Sequence, residues 1–399
     1  MSATAAHAVT AYTATTAFGA GTGPLLDGLR DGRTALARRH FETAVLDTWI
    51  GEVPDVDAVP LPAPLSAWEC RNNRLAWMGL QADGFLAAID DARARLGAGR
   101  IGVFLGTSTS GILETERAYR RRDPQTGALP ADFHYAETHN TYSVAGFVRE
   151  ALGLEGPAFV VSTACSSSAK VFGSAARMLD LGLIDAAVVG GVDSLCLTTL
   201  YGFQSLELLS PDICRPWDAD RAGLSLGEAA AFALLERSAK APRAWLLGVG
   251  ETSDGHHMSS PHPEGAGAAE AMRMALDQAG LRPDHVDYLN LHGTATPSND
   301  AAEDRAVQSV FGTGLRCSST KGATGHTLGA AGGVEAVIAM LALEHRLVPG
   351  GANLRTPDPQ LGLRYVAGPA VADPALRVVA SNSFGFGGSN ACLIFGAAR

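Results

Sequence analysis

Short apolar runs, each closed by glycine, serine or threonine, alternate with helical patterns along the whole chain. Ala8-Val9-Thr10-Ala11-Tyr12-Thr13 predicts a first strand, and Ile101-Gly102-Val103-Phe104-Leu105-Gly106 a buried one that ends in the turn Thr107-Ser108-Thr109-Ser110-Gly111. Phe159-Val160-Val161, Ala186 to Asp193 and Ala229 to Leu235 continue the series, and Ala244 to Gly250 opens a second one with strands at 286–290, 376–380 and 391–395. Helical patterns fall at 70–78 behind Ser66 as N-cap, at 169–179, 266–279 and 329–345, and near 301–310. Residues 50–66 and 210–221 read as loop, and the polar stretch 119–142 as an excursion from the core. Strand–helix alternation in both series predicts an α/β protein of two duplicated halves, 1–243 and 244–399, with a mostly parallel core. The two halves share only the theme of an apolar strand followed by a small-residue turn.

Composition narrows the function. A net charge of −10 with no basic stripe argues against nucleic acid as the main partner. The six cysteines, at 70, 165, 196, 214, 317 and 392, lack CxxC spacing, so zinc ribbons and disulfide frameworks are disfavoured and a reducing cytoplasm is expected. Met1 to Thr16 lacks the basic start and apolar core of a signal peptide, and no run is expected to reach transmembrane length.

Chemistry-bearing residues gather where strands end. Cys165, in Ser162-Thr163-Ala164-Cys165-Ser166-Ser167-Ser168, lies between a strand and a helix, where free N–H groups and the helix dipole favour an anion and are expected to lower a thiol's pKa. His292 follows a strand in Leu289-Asn290-Leu291-His292-Gly293-Thr294-Ala295-Thr296-Pro297, and Lys321 and His326 lie in a loop before a helix. In open α/β sheets, ligands bind beyond the carboxyl ends of strands. The glycines of Ser381 to Asn390 allow close backbone approach, and its N–H groups could form an oxyanion hole. No dinucleotide fingerprint or Walker sequence occurs, and His256, His257 and His262 are not expected to bind metal.

These stretches together resemble the condensing enzymes of the thiolase fold, specifically the beta-ketoacyl-acyl-carrier-protein synthases of fatty acid and polyketide synthesis. STACSSS, RPWDADR, HGTATPSND, SSTKGATGHTLGAAGG and SNSFGFGGSN occur in order over nearly the whole chain. The resemblance implies a layered α-β-α-β-α core and a decarboxylative Claisen condensation of malonyl-acyl-carrier-protein with a Cys-bound acyl chain, giving 3-ketoacyl-acyl-carrier-protein. It assigns Cys165 as nucleophile and His292 and His326 as donors to the enolate. Lys321 becomes an electrostatic support paired with Glu303, and the N–H groups of Cys165 and Phe386 form the oxyanion hole, with the Phe386 ring as gate. Thr294 and Thr296 would bind the pantetheine arm, and Phe384 would also contact substrate. No cofactor is implied; any cation is structural and monovalent, near Asn290, Glu335, Ser381 and Asn382.

Departures from the fatty-acid type bear on specificity. Thr109 replaces a bulky residue at the acyl-pocket floor, and His134, Tyr135, His139 and Asn140 fall where apolar residues commonly line the wall, which implies a more polar pocket. The triple serine and Ala222 after Arg221 look similar to ketosynthases of aryl-polyene and related highly reducing type II polyketide pathways. Such enzymes imply an acyl carrier protein as partner and either a homodimer or a heterodimer with a chain-length-factor-like homologue. Arg71, Arg74, Arg120 and Arg121 are candidate docking residues for the acidic carrier, next to Arg122. A non-catalytic chain-length factor and a coenzyme A-dependent thiolase are the competing classes; the retained cysteine opposes the first and the absence of a second reactive-cysteine motif the second.

Overall fold

The computed structural model describes residues 6–398, so of the segment read for targeting signals Met1 to Ala5 lie outside the described residues. The remainder of that segment is a sheet strand, β1 (His7–Thr15). The other strands of the large sheet are β2 (Ile101–Gly106), β3 (Ala158–Val161), β4 (Ala186–Asp193), β5 (Ala229–Glu236), β6 (Ala244–Ser253), β7 (Tyr288–Asn290), β8 (Arg316–Ser318), β9 (Arg364–Tyr365), β10 (Val378–Gly385) and β11 (Ser389–Ala397). Their spatial order is β9-β8-β7-β10-β11-β6-β1-β5-β4-β2-β3. Outward from the central pair β1 and β6, the same succession is met twice. In one half β1/β5 and β5/β4 are antiparallel and β4/β2 and β2/β3 parallel. In the other, β6/β11 and β11/β10 are antiparallel and β10/β7 and β7/β8 parallel. The duplication that residue identity does not carry is therefore present as topology. The expected mostly parallel core is instead mixed, because the two strands nearest the centre in each half run against their neighbours.

The principal helices are α1 (Arg71–Leu80), α2 (Phe85–Leu96), α3 (Ser143–Ala151), α4 (Ser167–Asp180), α5 (Ala266–Ala279), α6 (Pro297–Phe311) and α7 (Ala331–His345). Helices α4 and α7 lie between the two sheet halves, α1, α2 and α3 cover the outer face of one half, and α5 and α6 that of the other. Strand β5 shows why the layers form. Ala229, Ala231, Ala233 and Leu235 join the central core, while Ala230, Phe232 and Leu234 join the outer one. Period-2 alternation with apolar residues at every position gives a strand buried on both faces. Helix α7 is the helical counterpart, buried on every side from Ala331 to Leu343. Contrary to expectation, Leu328–His345 reaches 18 residues of mean hydropathy 1.3, enough by length and composition to span a membrane, but 89% of it is buried inside the fold. Its apolarity is that of a helix packed between the two halves of the sheet. At the α4/α7 crossing, a Cβ on Gly332 would lie 2.7 Å from the Ala169 Cβ, so the approach requires glycine.

Two boundaries differ from expectation and both shape the site. Strand β10 runs through Ser381 to Gly385, which confines the glycine-rich turn to Phe386–Gly388. Helix α6 starts at Pro297, since a first-turn proline needs no N–H partner.

Candidate active site

Cys165 is set by backbone shape. Chain leaving β3 turns at Ala164, which holds a left-handed φ of 51°, and α4 begins two residues beyond the cysteine. Hydroxyls pin this elbow. Ser166 Oγ donates to Thr163 O (2.9 Å) and Ser167 Oγ to Ala164 O (2.6 Å), while the Thr163 N–H donates to Ser167 Oγ (2.9 Å). Ser168 Oγ accepts the Gly333 N–H (2.8 Å), tying α4 to α7. A Cβ on Gly106 would lie 2.2 Å from the Ser168 nitrogen, so the end of β2 must be glycine to pass under the start of α4.

The Cys165 side chain is buried, and burial pushes its thiol up to about 12, against the lowering influence of Lys321 and of the Phe386 and Cys165 N–H groups. The expected lowered pKa is thus reversed: desolvation outweighs the helix terminus, and the resting group is a thiol.

His292 and His326 are also buried, and burial, reinforced by the Lys321 ammonium, holds both well below the usual imidazole range. Both rings are therefore neutral at pH 7, and their Nδ1 partners set the tautomer. Lys321 Nζ lies 3.5 Å from His292 Nδ1, and the Leu328 N–H donates to His326 Nδ1 (3.2 Å). An ammonium and an amide are donors only, so each Nδ1 is an acceptor and each Nε2 carries the proton. The ring centroids are 5.4 Å apart at 84°, and the Cys165 sulfur and a nitrogen of each ring lie within 4.8 Å of one another.

The charged support differs from the predicted one. Lys321 donates to His292 O (2.5 Å) and pairs with Glu335, not with Glu303. Glu303 instead accepts the N–H groups of His292 (2.8 Å) and Gly293 (2.8 Å) and the Asn382 amide (3.1 Å), bracing the turn that carries His292. Its place in α6 points it at that backbone, whereas Glu335 projects from α7 towards Lys321. Burial raises both carboxylates to about 7.

A narrow cleft leads to these groups. Cys165, His292, His326, Phe384 and Phe386 line it with Thr294 and Thr296, whose hydroxyls lie 2.9 Å apart. Phe203 also lines it and packs on Phe386 at 5.6 Å between ring centroids. Sequence reading missed Phe203; its only signal is an apolar residue in a helix, Leu197–Ser205, with a single fully buried position.

Thr109 is not in the cleft. Its hydroxyl donates to Asp193 (2.9 Å), a buried carboxylate that also receives Thr107 Oγ1 and the N–H groups of Ser108, Thr109 and Gly329. His134 and Tyr135 are exposed, and His139 is half-buried against Thr115 (2.6 Å), so none of the residues read as pocket wall lines the cleft. Of the residues read as carrier-docking, only Arg71 is withdrawn from the surface. Arg71 is buried, bound to Glu228 and Asp57; Arg74 is half-buried against Glu69; Arg120 and Arg121 are exposed but paired with Glu42 and Asp132.

Beside the Lys321–Glu335 pair, Asn290 Oδ1, Glu335 Oε2, Ser381 Oγ and Asn382 Oδ1 are buried without a hydrogen-bond partner. The amide nitrogens of Asn290 and Asn382 face Thr320 and Glu303. Orphaned buried oxygens of this kind fit a hard cation.

Comparison with known proteins agrees with this geometry. Residues 74–241 match the family model described as beta-ketoacyl synthase, N-terminal domain, and residues 243–355 that of its C-terminal domain. The chain is 36% identical over 315 residues to 3-oxoacyl-[acyl-carrier-protein] synthase 2 of Vibrio cholerae, covering 75% of this chain and 76% of that protein. It is 41% identical over 271 residues to the mitochondrial 3-oxoacyl-[acyl-carrier-protein] synthase of Arabidopsis thaliana, covering 63% of this chain and 59% of the plant protein. Among solved structures it is similar to the ketosynthase ApeO in complex with its chain length factor ApeC from Xenorhabdus doucetiae. That match has 38% identity and a TM-score of 0.89 and covers 99% of this chain and 98% of that one.

Proposed function

The chain belongs to the beta-ketoacyl synthase family, and from that premise we propose how its cleft condenses a malonyl thioester with a cysteine-bound acyl chain. The observation that carries the reading is the convergence of one thiol and two imidazole nitrogens within 4.8 Å at the bottom of a cleft.

In the first step the Cys165 sulfur attacks the carbonyl carbon of an acyl thioester on a carrier protein. The N–H groups of Cys165 and Phe386 receive the negative oxygen. The carbon–sulfur bond to pantetheine breaks, and the thiol proton leaves with the pantetheine sulfur. With the thiol held up to about 12, its proton passes to the departing pantetheine sulfur as the new carbon–sulfur bond forms, without prior ionisation in bulk water. In the second step the carbonyl oxygen of a malonyl thioester accepts the Nε2–H groups of His292 and His326. Loss of carbon dioxide leaves an enolate on that oxygen, where two neutral donors in a dry site stabilise it. The enolate carbon bonds to the acyl carbon, the bond to Cys165 breaks, and one proton from solvent restores the thiol. Thr294 and Thr296 hold the pantetheine arm. Lys321 fixes the His292 tautomer, and Glu303 braces the His292 turn.

Asn290, Glu335, Ser381 and Asn382 would hold a monovalent cation, which supplies fixed positive charge beside Glu335 when bound. We place the chain in a type II polyketide pathway, of the aryl-polyene kind, beside a chain-length-factor-like subunit. The likeness to a ketosynthase solved with its chain length factor supports this, as does the free edge at β3, where Phe159 is 52% exposed.

Intact mass spectrometry of wild type beside Cys165→Ala, with saturated and conjugated acyl carrier proteins and then malonyl carrier protein, tests the reading. The expected result is an acyl adduct on Cys165 and a 3-ketoacyl product two carbons longer. Absence of any adduct in the presence of a partner subunit would overturn it.

A further inference from the structure

Strand β4 ends on Asp193, a fully buried carboxylate that no step above uses. Each group bonded to it among the described residues is neutral and donates. Its Oδ1 accepts Thr107 Oγ1 (2.6 Å), Thr109 Oγ1 (2.9 Å) and the N–H groups of Ser108 (2.8 Å) and Thr109 (3.0 Å). Its Oδ2 accepts the Gly329 N–H (2.5 Å) and shares that of Ser108 (3.0 Å). Burial raises its pKa and these donors oppose the rise; a group met only by donors is held as the anion. The bonds join the two sides of the site. On one side Ser108 Oγ donates to Ala164 O (3.3 Å), at the elbow that carries Cys165. On the other, Gly329 follows Leu328, whose N–H donates to His326 Nδ1 (3.2 Å). The sides touch, since a Cβ on Gly329 would lie 2.6 Å from Ser108 Oγ and 2.8 Å from Asp193 Oδ2. Ser110, Ala164 and Leu328, none of them glycine, hold left-handed φ values of 45°, 51° and 53° in these segments. Such residues cost free energy and persist only where surrounding bonds over-determine them. The backbone of His326 is fixed elsewhere: its N–H donates to Ser225 O (2.8 Å) and its carbonyl accepts the Gly227 N–H (3.0 Å). What Asp193 governs is therefore the turn after His326, which presents the Leu328 N–H to the ring.

We propose that Asp193 is a positioning residue for His326. By holding Gly329 it keeps the Leu328 N–H on Nδ1, and so the Nε2 proton available to the malonyl carbonyl; its other oxygen holds the turn beside the Cys165 elbow. The effect on rate rests on the condensing reading above, whereas the effect on the ring tautomer does not.

Asp193→Asn keeps the size of the side chain but has a single acceptor oxygen. With that oxygen turned to the donors that meet Oδ1, its NH₂ faces the Gly329 N–H and releases that segment. Carbon dioxide release from malonyl-pantetheine and intact-mass acylation of Cys165 from acyl-pantetheine read the two steps. In Asp193→Asn the decarboxylation kcat is expected to fall about tenfold or more with KM within about threefold, and acylation to stay within about threefold. Gly329→Ala, whose Cβ wedges the same contact while the carboxylate is retained, is expected to lower decarboxylation likewise. Ring NMR of protein labelled with ¹⁵N-histidine, with His326 assigned by His326→Gln, is expected to show His326 pass from Nε2–H to a mixture of tautomers in both variants. His292, held by Lys321, is expected to keep its tautomer. Decarboxylation within about threefold of wild type in both variants, equal loss of both steps in a folded Asp193→Asn, or an unmoved His326 tautomer would overturn the role. Should Asp193→Asn fail to fold, the rate and tautomer of Gly329→Ala decide. Wild type that performs neither step would strike the condensing reading, and the tautomer then decides the role of Asp193.

Discussion

The two halves of the molecule share a strand succession yet hold their reactive groups by different means. Around Cys165 the supports are neutral: a left-handed Ala164, three serine hydroxyls and a backbone approach that requires Gly106. Around His292 they are ionic, with Lys321 and Glu335 paired and Glu303 bound to two backbone N–H groups. In the proposed mechanism, a nucleophile that must attack from one direction is served by fixed backbone. The two imidazoles proposed as neutral donors are served by a buried cation that lowers their pKa and lies against one ring nitrogen of His292.

The comparison breaks most sharply if the halves do not separate the two chemical steps. Cys165→Ala is expected to remove the acyl adduct and lower elongation by about 10⁴-fold while malonyl decarboxylation persists. His326→Ala should do the reverse, lowering decarboxylation about 10²–10³-fold and leaving Cys165 acylation nearly intact. Carbon dioxide release and intact mass read the two steps separately, and loss of both steps in either variant would deny the division.

Stability should separate the halves next. Lys321→Ala leaves Glu335 buried without its partner and is expected to cost about 3–5 kcal/mol in urea unfolding, with most of it recovered in Lys321→Met/Glu335→Leu. At the Cys165 elbow, Ser167→Ala removes one donor and one acceptor and should cost only about 1–2 kcal/mol. Comparable losses at the two sites would erase the distinction.

The smallest expected effect concerns pH. Burial raises the folded Glu303 to about 7 from an ordinary 4.5, so the folded state binds more protons than the unfolded one between those values. Its contribution is fully present below pH 4.5 and is lost as pH rises through 7, with a slope of at most about 1.4 kcal/mol per pH unit. His292 and His326, lowered by burial, act oppositely, their contribution being lost as pH falls below about 6.5. The difference between wild type and Glu303→Gln in unfolding free energy across pH 4.5–7 isolates the carboxylate, and an unchanged slope would refute the assignment.

Much of this was legible from the chain itself. The continuous apolar runs of β4 and β5, the helix predicted at 266–279, the placing of Cys165 and His292 at strand ends and of His326 before a helix follow from local patterns, because apolar runs and small-residue turns are properties of neighbouring residues. Partner choice is not local. Lys321 meets Glu335 because α7 passes between the sheets, and Glu303 meets the His292 backbone because α6 lies outside them. Arg71 reads as a docking residue in the sequence, but Glu228, immediately before β5, pairs with it inside the fold. The Cys165 thiol was read from its helix terminus, yet its pKa is set chiefly by how completely distant segments exclude water. Sequence alone determined which candidate residues stand near strand ends and on which elements; tertiary structure decided their charge states, tautomers and ion-pair partners, since those depend on desolvation and contacts between segments far apart in the chain.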